Sequence, residues 1–255
     1  MSEHQENISL FRSLHKPGSP IILYNIWDAG SAKAVASSGA KALATGSAPV
    51  ALAQGFSDGE QMPLDIALGN IRRIIAAVDL PVTMDLEGGY GTETDAVAKT
   101  VSRAVATGIV GFNFEDQIIG GDGLYDINTQ TARIKSARNA ANLDSVSPFI
   151  NARTDIFLKA KPDTHNEAML DDAIERAHAY EQAGADGFFA PGLADEKLIA
   201  TLCEKINLPV NIIALPNVPP NDKLSALGVA RISYGPVPYR QMTKALSEAA
   251  AKAFA

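Results

Sequence analysis

Short apolar segments alternate with longer helical patterns along the whole chain. Each apolar segment is a nearly unbroken run of Ile, Val, Leu and Phe without period-two alternation, which is typical of strands buried on both faces of a parallel sheet. The predicted strands are 20–26, 41–46, 80–87, 109–116, 147–155, 186–192, 209–216 and 230–235. Such strands need a covering layer on each face of the sheet.

The segments between these strands carry apolar residues at helical spacing. The predicted helices are 31–39, 63–78, 93–108, 128–141, 166–184, 196–206, 221–228 and 237–255. Four of them end on a glycine, the residue that most readily closes a helix in the left-handed conformation: Gly39, Gly108, Gly184 and Gly228. The pattern therefore predicts a regular alternation of strand and helix.

Eight such units over this length correspond to roughly 32 residues each, the usual spacing of a (β/α)8 barrel. The fold class predicted is α/β, a single (β/α)8 TIM-type barrel over 1–255, with a short N-terminal helical segment over 1–18 and a C-terminal helix over 236–254. The alternative is an open doubly wound sheet, but no Gly-x-Gly-x-x-Gly follows the first strand as a dinucleotide fold would require.

Composition narrows the class of protein. The chain has 255 residues, a net charge of −7 and a single cysteine, Cys203, which excludes an intramolecular disulfide and a multi-cysteine metal site. A negative net charge without a basic cluster argues against a nucleic-acid partner. We find no apolar run long enough to span a membrane and no secretory signal at the N-terminus. We expect a cytoplasmic protein whose partner is a small molecule.

Acidic residues are concentrated at the ends of the predicted strands, where barrel enzymes place their chemistry. Asp85 and Glu87 are two residues apart at the end of the third strand and are expected on one face of it, Glu115 ends the fourth, and Asp58 lies in the loop after the second. Adjacent carboxylates repel one another unless a cation or a shared proton relieves the repulsion. Oxygen ligands favour Mg2+, with Mn2+ as the alternative. The competing interpretation is ordinary helix capping and ion pairing.

Arg153 is the basic residue at the end of a strand, and beside a metal it can hold a carboxylate through two parallel hydrogen bonds. The alternative role is a structural ion pair with Glu115, Asp116 or Asp155. The turn formed by Gly46, Ser47 and Ala48 offers backbone N–H groups to an anion. Trp27 either lines the pocket or packs at the top of the barrel.

The order of these motifs resembles the isocitrate lyase/phosphoenolpyruvate mutase superfamily. The matching segments are NIWDAGSA (25–32), ATGSAPVALAQGFSDGE (44–60), MDLEGGYG (84–91), FNFEDQ (112–117), NARTD (151–155) and AGADGFFAPG (183–192). The resemblance implies a Mg2+-dependent barrel enzyme that breaks a C–C or P–C bond of a small 2-oxo or 2-hydroxy acid through an enolpyruvate-like species.

The resemblance also assigns roles. Asp85 is then the direct metal ligand, and Asp58, Glu87 and Glu115 hold its waters. Arg153 is the clamp for the substrate anion, and the segment Gly46–Ser47–Ala48 receives the substrate carboxylate. The terminal helix of such proteins often packs on a partner subunit, which implies a homo-oligomer, a dimer or a tetramer. The alternative is that this helix completes its own barrel.

Two departures leave the reaction open. Asp85-x-Glu87 replaces the usual Asp-x-Asp, and the segment 118–126, IIGGDGLYD, lacks both the Cys of the lyase branch and the Lys and Asn of the mutase branch. The proton donor is then a metal-bound water, Tyr90, Asp58 or a carboxylate with a raised pKa. We favour a carbon–carbon lyase or a decarboxylase. The alternatives are phosphonopyruvate mutase or hydrolase chemistry, a non-catalytic metal-dependent 2-oxo acid binding protein, and an acidic mouth that is only structural.

Overall fold

A closed ring of parallel strands forms the centre of the molecule. The computed structural model describes residues 2–142 and 147–255, so Met1 of the predicted N-terminal segment lies outside them. The strands are β1 (Ile21–Leu23), β2 (Leu43–Ala44), β3 (Val82–Asp85), β4 (Gly111–Glu115), β5 (Phe149–Arg153), β6 (Gly187–Phe189), β7 (Val210–Ile213) and β8 (Arg231–Ser233). They pair in the order β1-β8-β7-β6-β5-β4-β3-β2, and every pair is parallel. The predicted (β/α)8 barrel is confirmed.

The ring closes between β1 and β2, the two ends of that order. Here the connection in the described residues is an isolated bridge between Ile26 and Thr45 instead of a ladder. The Ile26 N–H donates to the Ala44 carbonyl at 2.9 Å, and the Asn25 side-chain amide donates to the Thr45 carbonyl at 3.0 Å. We call this join the β1–β2 seam.

Helices surround the barrel as the apolar periodicity predicts. They are α1 (Glu3–Ser13), α2 (Ala29–Ser37), α3 (Ser47–Ala53), α4 (Leu64–Ile75), α5 (Thr94–Val105), α6 (Ile127–Ala141), α7 (Ile156–Lys159), α8 (Glu167–Gln182), α9 (Glu196–Lys205), α10 (Asn221–Ala226) and α11 (Val237–Phe254), with a 3-10 turn at Pro162–Thr164. The closing glycines Gly39, Gly108, Gly184 and Gly228 all have φ between +92° and +102°. No helix in the described part of the chain is both long and apolar enough to cross a membrane.

Helix α3 was not predicted, because residues 46–48 were interpreted as a tight turn. The segment Ser47–Ala53 is a helix whose third residue is Pro49. Proline is tolerated in a first helical turn, where its missing N–H is not needed. The consequence is that a helix begins directly after β2, at the mouth of the barrel.

Helix α1 closes the opposite end of the barrel. Its Phe11 ring packs edge-on against Phe149 at 5.7 Å, and the His15 ring stacks on Phe149 at 4.2 Å between centroids. Burial lowers the pKa of His15 to about 3, so this imidazole is neutral. The barrel is therefore sealed at its floor, and its mouth at the carboxyl ends of the strands stays available.

The middle of the barrel is polar, although barrels of this kind are usually filled with branched aliphatic side chains. Asn113, Asn151, Asn211 and Arg231 point into it from β4, β5, β7 and β8 and are all at most 5 % exposed. Asn151 donates to the Asn113 side-chain oxygen at 2.9 Å. Buried polar groups therefore lie between the apolar floor and the mouth.

Candidate active site

Asp85 is a carboxylate at the mouth of the barrel. It ends β3, and its backbone N–H donates to the Thr45 hydroxyl at 3.0 Å. Its carboxylate oxygen Oδ2 accepts the Ser47 N–H from the start of α3 at 3.3 Å. Burial raises the pKa of Asp85, and the positive charge of Arg153 opposes this rise. Asp85 is thus a desolvated carboxylate held by the backbone N–H of Ser47 at the start of α3.

Glu87 does not lie on β3, so the prediction that it shares a strand face with Asp85 is wrong. The strand ends at Asp85, and the chain then turns, with the Gly89 N–H donating to the Leu86 carbonyl at 2.9 Å. Glu87 and Tyr90 adopt left-handed backbone conformations, with φ of +52° and +55°. For residues other than glycine this costs about 1–3 kcal/mol each, and such strain is concentrated at functional sites.

The loop that follows α3 holds this turn in place through Glu60. Glu60, also left-handed at φ +58°, donates its N–H to the Glu87 carboxylate at 2.7 Å and accepts the Tyr90 N–H at 2.8 Å. The Tyr90 hydroxyl donates to the other Glu87 oxygen at 3.4 Å. Burial and the Asp85 charge raise the pKa of Glu87 to about 8. The turn therefore holds Glu87 largely protonated at neutral pH.

Arg153 faces the carboxylates of Asp85, Glu115 and Asp155 from β5. Its Nε and Nη2 form a two-point contact with Asp155 at 2.6 and 2.9 Å, and Nη1 lies 2.7 Å from Glu115. Burial raises the pKa of Glu115, although Arg153 acts in the opposite direction. A guanidinium carries five N–H groups, so one hydrogen on each terminal nitrogen is left for a ligand. Asp155 thus sets the orientation of an arginine that can still bind an anion.

Asp116, one of the partners considered for Arg153, belongs to a different cluster. It is fully buried and accepts hydrogen bonds from the Asp155 N–H at 3.0 Å, the Tyr180 hydroxyl at 2.8 Å and Arg176 at 3.2 Å. Asp116 is linked to the site through the backbone N–H of Asp155 and through its own N–H, which donates to the Arg153 carbonyl at 3.0 Å. Asp116 therefore supports the residue that orients Arg153.

The remaining predicted residues lie further out. Asp58 is exposed in the loop after α3, near enough for its charge to raise the pKa of both Asp85 and Glu87. Trp27 is half-buried and packs edge-on against Tyr239 of α11 at 5.2 Å. The segment 118–126 folds back as a short hairpin with a bridge between Gln117 and Leu124.

Arg133 is the residue that sequence reasoning missed. It is 1 % exposed and donates to the carbonyls of Gly88 at 2.5 Å and Gly91 at 2.9 Å, and also to that of Thr92. Its guanidinium lies 4.2 Å from the Tyr125 ring centre. It holds the backbone of the turn that carries Glu87 and Tyr90. One indication of this burial was present in the sequence: position 133 lies on the same face of helix α6 as its buried apolar residues.

Comparison with known proteins gives the family. The family model described as phosphoenolpyruvate phosphomutase matches residues 11–254. The chain belongs to this family. The predicted membership of the isocitrate lyase/phosphoenolpyruvate mutase superfamily is confirmed, and with it the prediction of an enzyme-type barrel.

Three relatives show the range within the phosphoenolpyruvate phosphomutase family. A crystal structure from Burkholderia cenocepacia J2315, provisionally described as a phosphonomutase, is 47 % identical with a TM-score of 0.96, covering 98 % of this chain and 99 % of that one. The 2-methylisocitrate lyase of Escherichia coli K12 is 27 % identical over 250 residues, 91 % of this chain and 83 % of its own. Oxaloacetate decarboxylase 2 of Pseudomonas fluorescens Pf0-1 is 29 % identical over 208 residues, 76 % of this chain and 66 % of its own.

The carboxylates at the mouth of the barrel fit a hydrated divalent cation. Within residues 2–142 and 147–255, no three carboxylate, imidazole or thiol groups are arranged as direct ligands around one point. Mg2+ usually keeps several waters and binds through one or two carboxylates. Asp85 and Glu87 offer only oxygen, and burial raises the pKa of both, with a smaller contribution from neighbouring carboxylates that a cation would offset.

The raised pKa of Glu87 predicts how the stability of the metal-free protein depends on pH. The folded state binds a proton at Glu87 that the unfolded chain releases near pH 4.5, so stability falls as the pH rises from about 5 to 8. One pKa unit corresponds to about 1.4 kcal/mol. We expect Glu87→Gln to reduce this loss, giving a Tm several degrees above the parent at pH 8 and a smaller difference at pH 5. Thermal unfolding in EDTA measures it.

The control is Glu204→Gln, which removes an exposed carboxylate of α9. It should leave the pH profile unchanged. Parallel pH profiles for Glu87→Gln and the parent would contradict the proton assignment.

Proposed function

We propose that this chain is a Mg2+-dependent lyase or decarboxylase that breaks a C–C bond of a small 2-oxo or 2-hydroxy carboxylic acid. The observation that carries the proposal is the mouth of the barrel, where the buried carboxylates Asp85 and Glu115 face the guanidinium of Arg153 and Glu87 lies next to Asp85. The lyase and decarboxylase activities of family relatives support it.

The residues that would hold the ion are Asp85 directly, with Asp58, Glu87 and Glu115 through water. When bound, Mg2+ supplies a Lewis acid that stabilises negative charge on the substrate carbonyl oxygen. Asp85 is the natural direct ligand because it is desolvated and its orientation is fixed by Thr45 and Ser47.

Arg153 and the start of α3 would orient the substrate. The N–H groups at the first positions of a helix have no partner inside it. The Ser47 N–H already donates to Asp85 and Pro49 has no N–H, so in the segment Gly46–Ser47–Ala48 the Ala48 N–H is the helix donor left for a substrate carboxylate. Arg153 would hold the anion at the other end of the substrate. Two fixed ends decide which bond stands perpendicular to the carbonyl plane.

Tyr90 is the proton donor that we propose. Burial raises the pKa of Tyr90, so the phenol keeps its proton at neutral pH, and its hydroxyl lies 3.4 Å from Glu87. The proton would pass to the carbon that loses its bond, and Glu87 would hold Tyr90 in place. Asp58, exposed at the rim, is the second candidate for this role.

The test separates catalysis from binding. Thermal stability is followed with Mg2+ and oxalate, a mimic of the enolate, and 2-oxo and 2-hydroxy acids are then screened for pyruvate, carbon dioxide and phosphate release. Stabilisation together with carbon–carbon cleavage supports the proposal. Conversion of phosphonopyruvate to phosphoenolpyruvate would instead support the mutase reaction suggested by the 47 % identical relative, and phosphate release would indicate phosphonopyruvate hydrolysis. Stabilisation without turnover indicates a binding protein, and no Mg2+-dependent effect overturns the metal site.

We also infer that the chain forms a homo-oligomer through α11. A groove of about 790 Å3 runs beside β1, lined in part by Leu14, Ile22 and Tyr24. Helix α11 exposes Leu246 and Phe254, which are 65 % and 88 % accessible. The groove beside β1 is mainly apolar, and the exposed Leu246 and Phe254 of α11 are apolar as well. We therefore infer that α11 of a second copy occupies this groove. A cytoplasmic location stays a prediction from the sequence.

The oligomer is tested by Leu246→Glu. A charge in the apolar contact should shift the population to smaller species, measured by light scattering after size exclusion at several concentrations. Lys252→Gln, on the same helix, is the control. A monomeric parent protein would contradict the inference.

A further inference from the structure

Arg231 is a guanidinium buried at the centre of the barrel. It is 1 % exposed, and it reaches from β8 across the interior to β4, where Nη2 donates to the Asn113 side-chain oxygen at 3.1 Å. Its Nε donates to the Ser233 hydroxyl at 3.4 Å. Both partners are neutral, and Nη1 has no hydrogen-bond partner among the described residues.

No acidic side chain in the described part of the chain forms an ion pair with Arg231. Burial lowers the pKa of Arg231 to about 9, and the charge that opposes this is that of Asp85. The arginine therefore remains protonated at neutral pH. Asp85 is the register partner of Asn113, the residue that Arg231 contacts, so this charge lies beside the carboxylate expected to bind the metal.

The hydrogen-bond partners of Arg231 do not depend on it. The Asn113 oxygen also accepts from Asn151 at 2.9 Å, and the Ser233 hydroxyl also donates to Asn211 at 3.2 Å. A neutral side chain of similar volume at position 231 would leave neither of these groups without a partner. Because a buried charge without a counter-charge is costly, the parent residue lowers stability, and its benefit has to lie elsewhere.

We propose that Arg231 is a positioning residue for the active site, a fixed positive charge beneath Asp85 that weakens binding of the bare cation and strengthens binding of the anionic oxo acid. The inference rests on the proposed function, because it needs the Mg2+ and oxo-acid site. Arg153 holds the ligand from the rim, whereas Arg231 acts through space from below. Arg153 contacts Glu115, one of the proposed metal-binding residues, whereas Arg231 contacts none of them.

If this inference is correct, removing the charge of Arg231 should change the affinities for Mg2+ and for oxalate in opposite directions. In Arg231→Met, the affinity for Mg2+ alone should rise about tenfold, and the affinity for oxalate at saturating Mg2+ should fall by at least tenfold. The neutral Mg2+–oxalate pair as a whole should be almost unaffected. Titration calorimetry with MgCl2, and then with oxalate, measures both constants. The Tm without ligand should be equal to or above that of the parent.

Two variants complete the experiment. Arg231→Lys keeps the charge and should retain both parent affinities within about threefold. Arg138→Met removes a largely buried arginine that pairs with Asp186, away from the mouth, and should lower the Tm without changing either affinity.

Parallel weakening of both ligands in Arg231→Met, unchanged affinities, or failure of this variant to fold would each overturn the inference, because each describes a structural arginine. If the parent protein binds neither Mg2+ nor oxalate, the proposed function itself is overturned together with this inference. The parent titration therefore distinguishes the two failures.

Discussion

Asp85→Asn is expected to abolish Mg2+-dependent stabilisation by oxalate and to lower turnover by at least about a thousandfold, or roughly 4 kcal/mol in the activation barrier. The reason is that Asp85 is the proposed direct ligand, and an amide lacks the charge that holds a divalent cation. The same change removes a desolvated carboxylate whose burial raises its pKa. The metal-free variant should thus unfold at the same temperature as the parent or higher. Thermal scans with and without Mg2+ and oxalate, together with steady-state rates, give both results.

Asp65→Asn is the control for this experiment. Asp65 is an exposed carboxylate at the start of α4 that pairs with Arg103, outside the mouth of the barrel. It should leave ligand binding and turnover unchanged. Retention of the oxalate effect in Asp85→Asn would exclude Asp85 as the ligand of the metal.

Asp116→Ala is expected to destabilise the fold by about 3–5 kcal/mol, because it breaks a buried ion pair from one side. Arg176 loses its carboxylate partner at the centre of the cluster, and the Tyr180 hydroxyl and the Asp155 N–H lose their acceptor. For a chain of this length the Tm should fall by about 10 °C. Equilibrium unfolding in urea measures the difference directly.

Asp172→Ala offers a matched comparison, because Asp172 contacts the same Arg176 at 3.1 Å from an exposed position. The loss of an exposed ion pair should cost less than about 1 kcal/mol. Equal effects of the two variants would show that burial does not set the strength of this cluster. Asp116→Ala should also lower turnover, because Asp116 holds the backbone of Asp155, and Asp155 orients Arg153.

The barrel was predictable because its strands are buried on both faces. In runs such as 109–116 and 209–216, apolar and polar residues do not alternate. This pattern indicates strands of a parallel sheet covered on both faces. Strand lengths were overestimated, since β6 is the three residues Gly187–Phe189 within the predicted 186–192. Apolar residues continue past the last ladder hydrogen bond into the loops, where burial persists without pairing.

The carboxylates at the mouth were predictable from their position at the strand ends, but the way they are held was not. The left-handed backbone at Glu60, Glu87 and Tyr90 depends on contacts between segments almost 30 residues apart. Arg133 acts through carbonyls of the turn, and no local pattern shows which carbonyls a buried arginine reaches. Long-range contacts of this kind are set by packing, which the sequence alone does not display.

The β1–β2 seam has a consequence for the motions of the barrel. A join made of one bridge instead of a ladder is the least costly place for the ring to part, because few backbone hydrogen bonds oppose local opening there. Amide protons near Ile26 should thus exchange with solvent sooner than those in β4 or β5. The residues on either side of this join, Asn25 and Thr45, lie next to Gly46–Ser47–Ala48, the segment proposed to receive the substrate carboxylate. Transient opening of the join would therefore loosen one end of the proposed pocket and leave Arg153 in place.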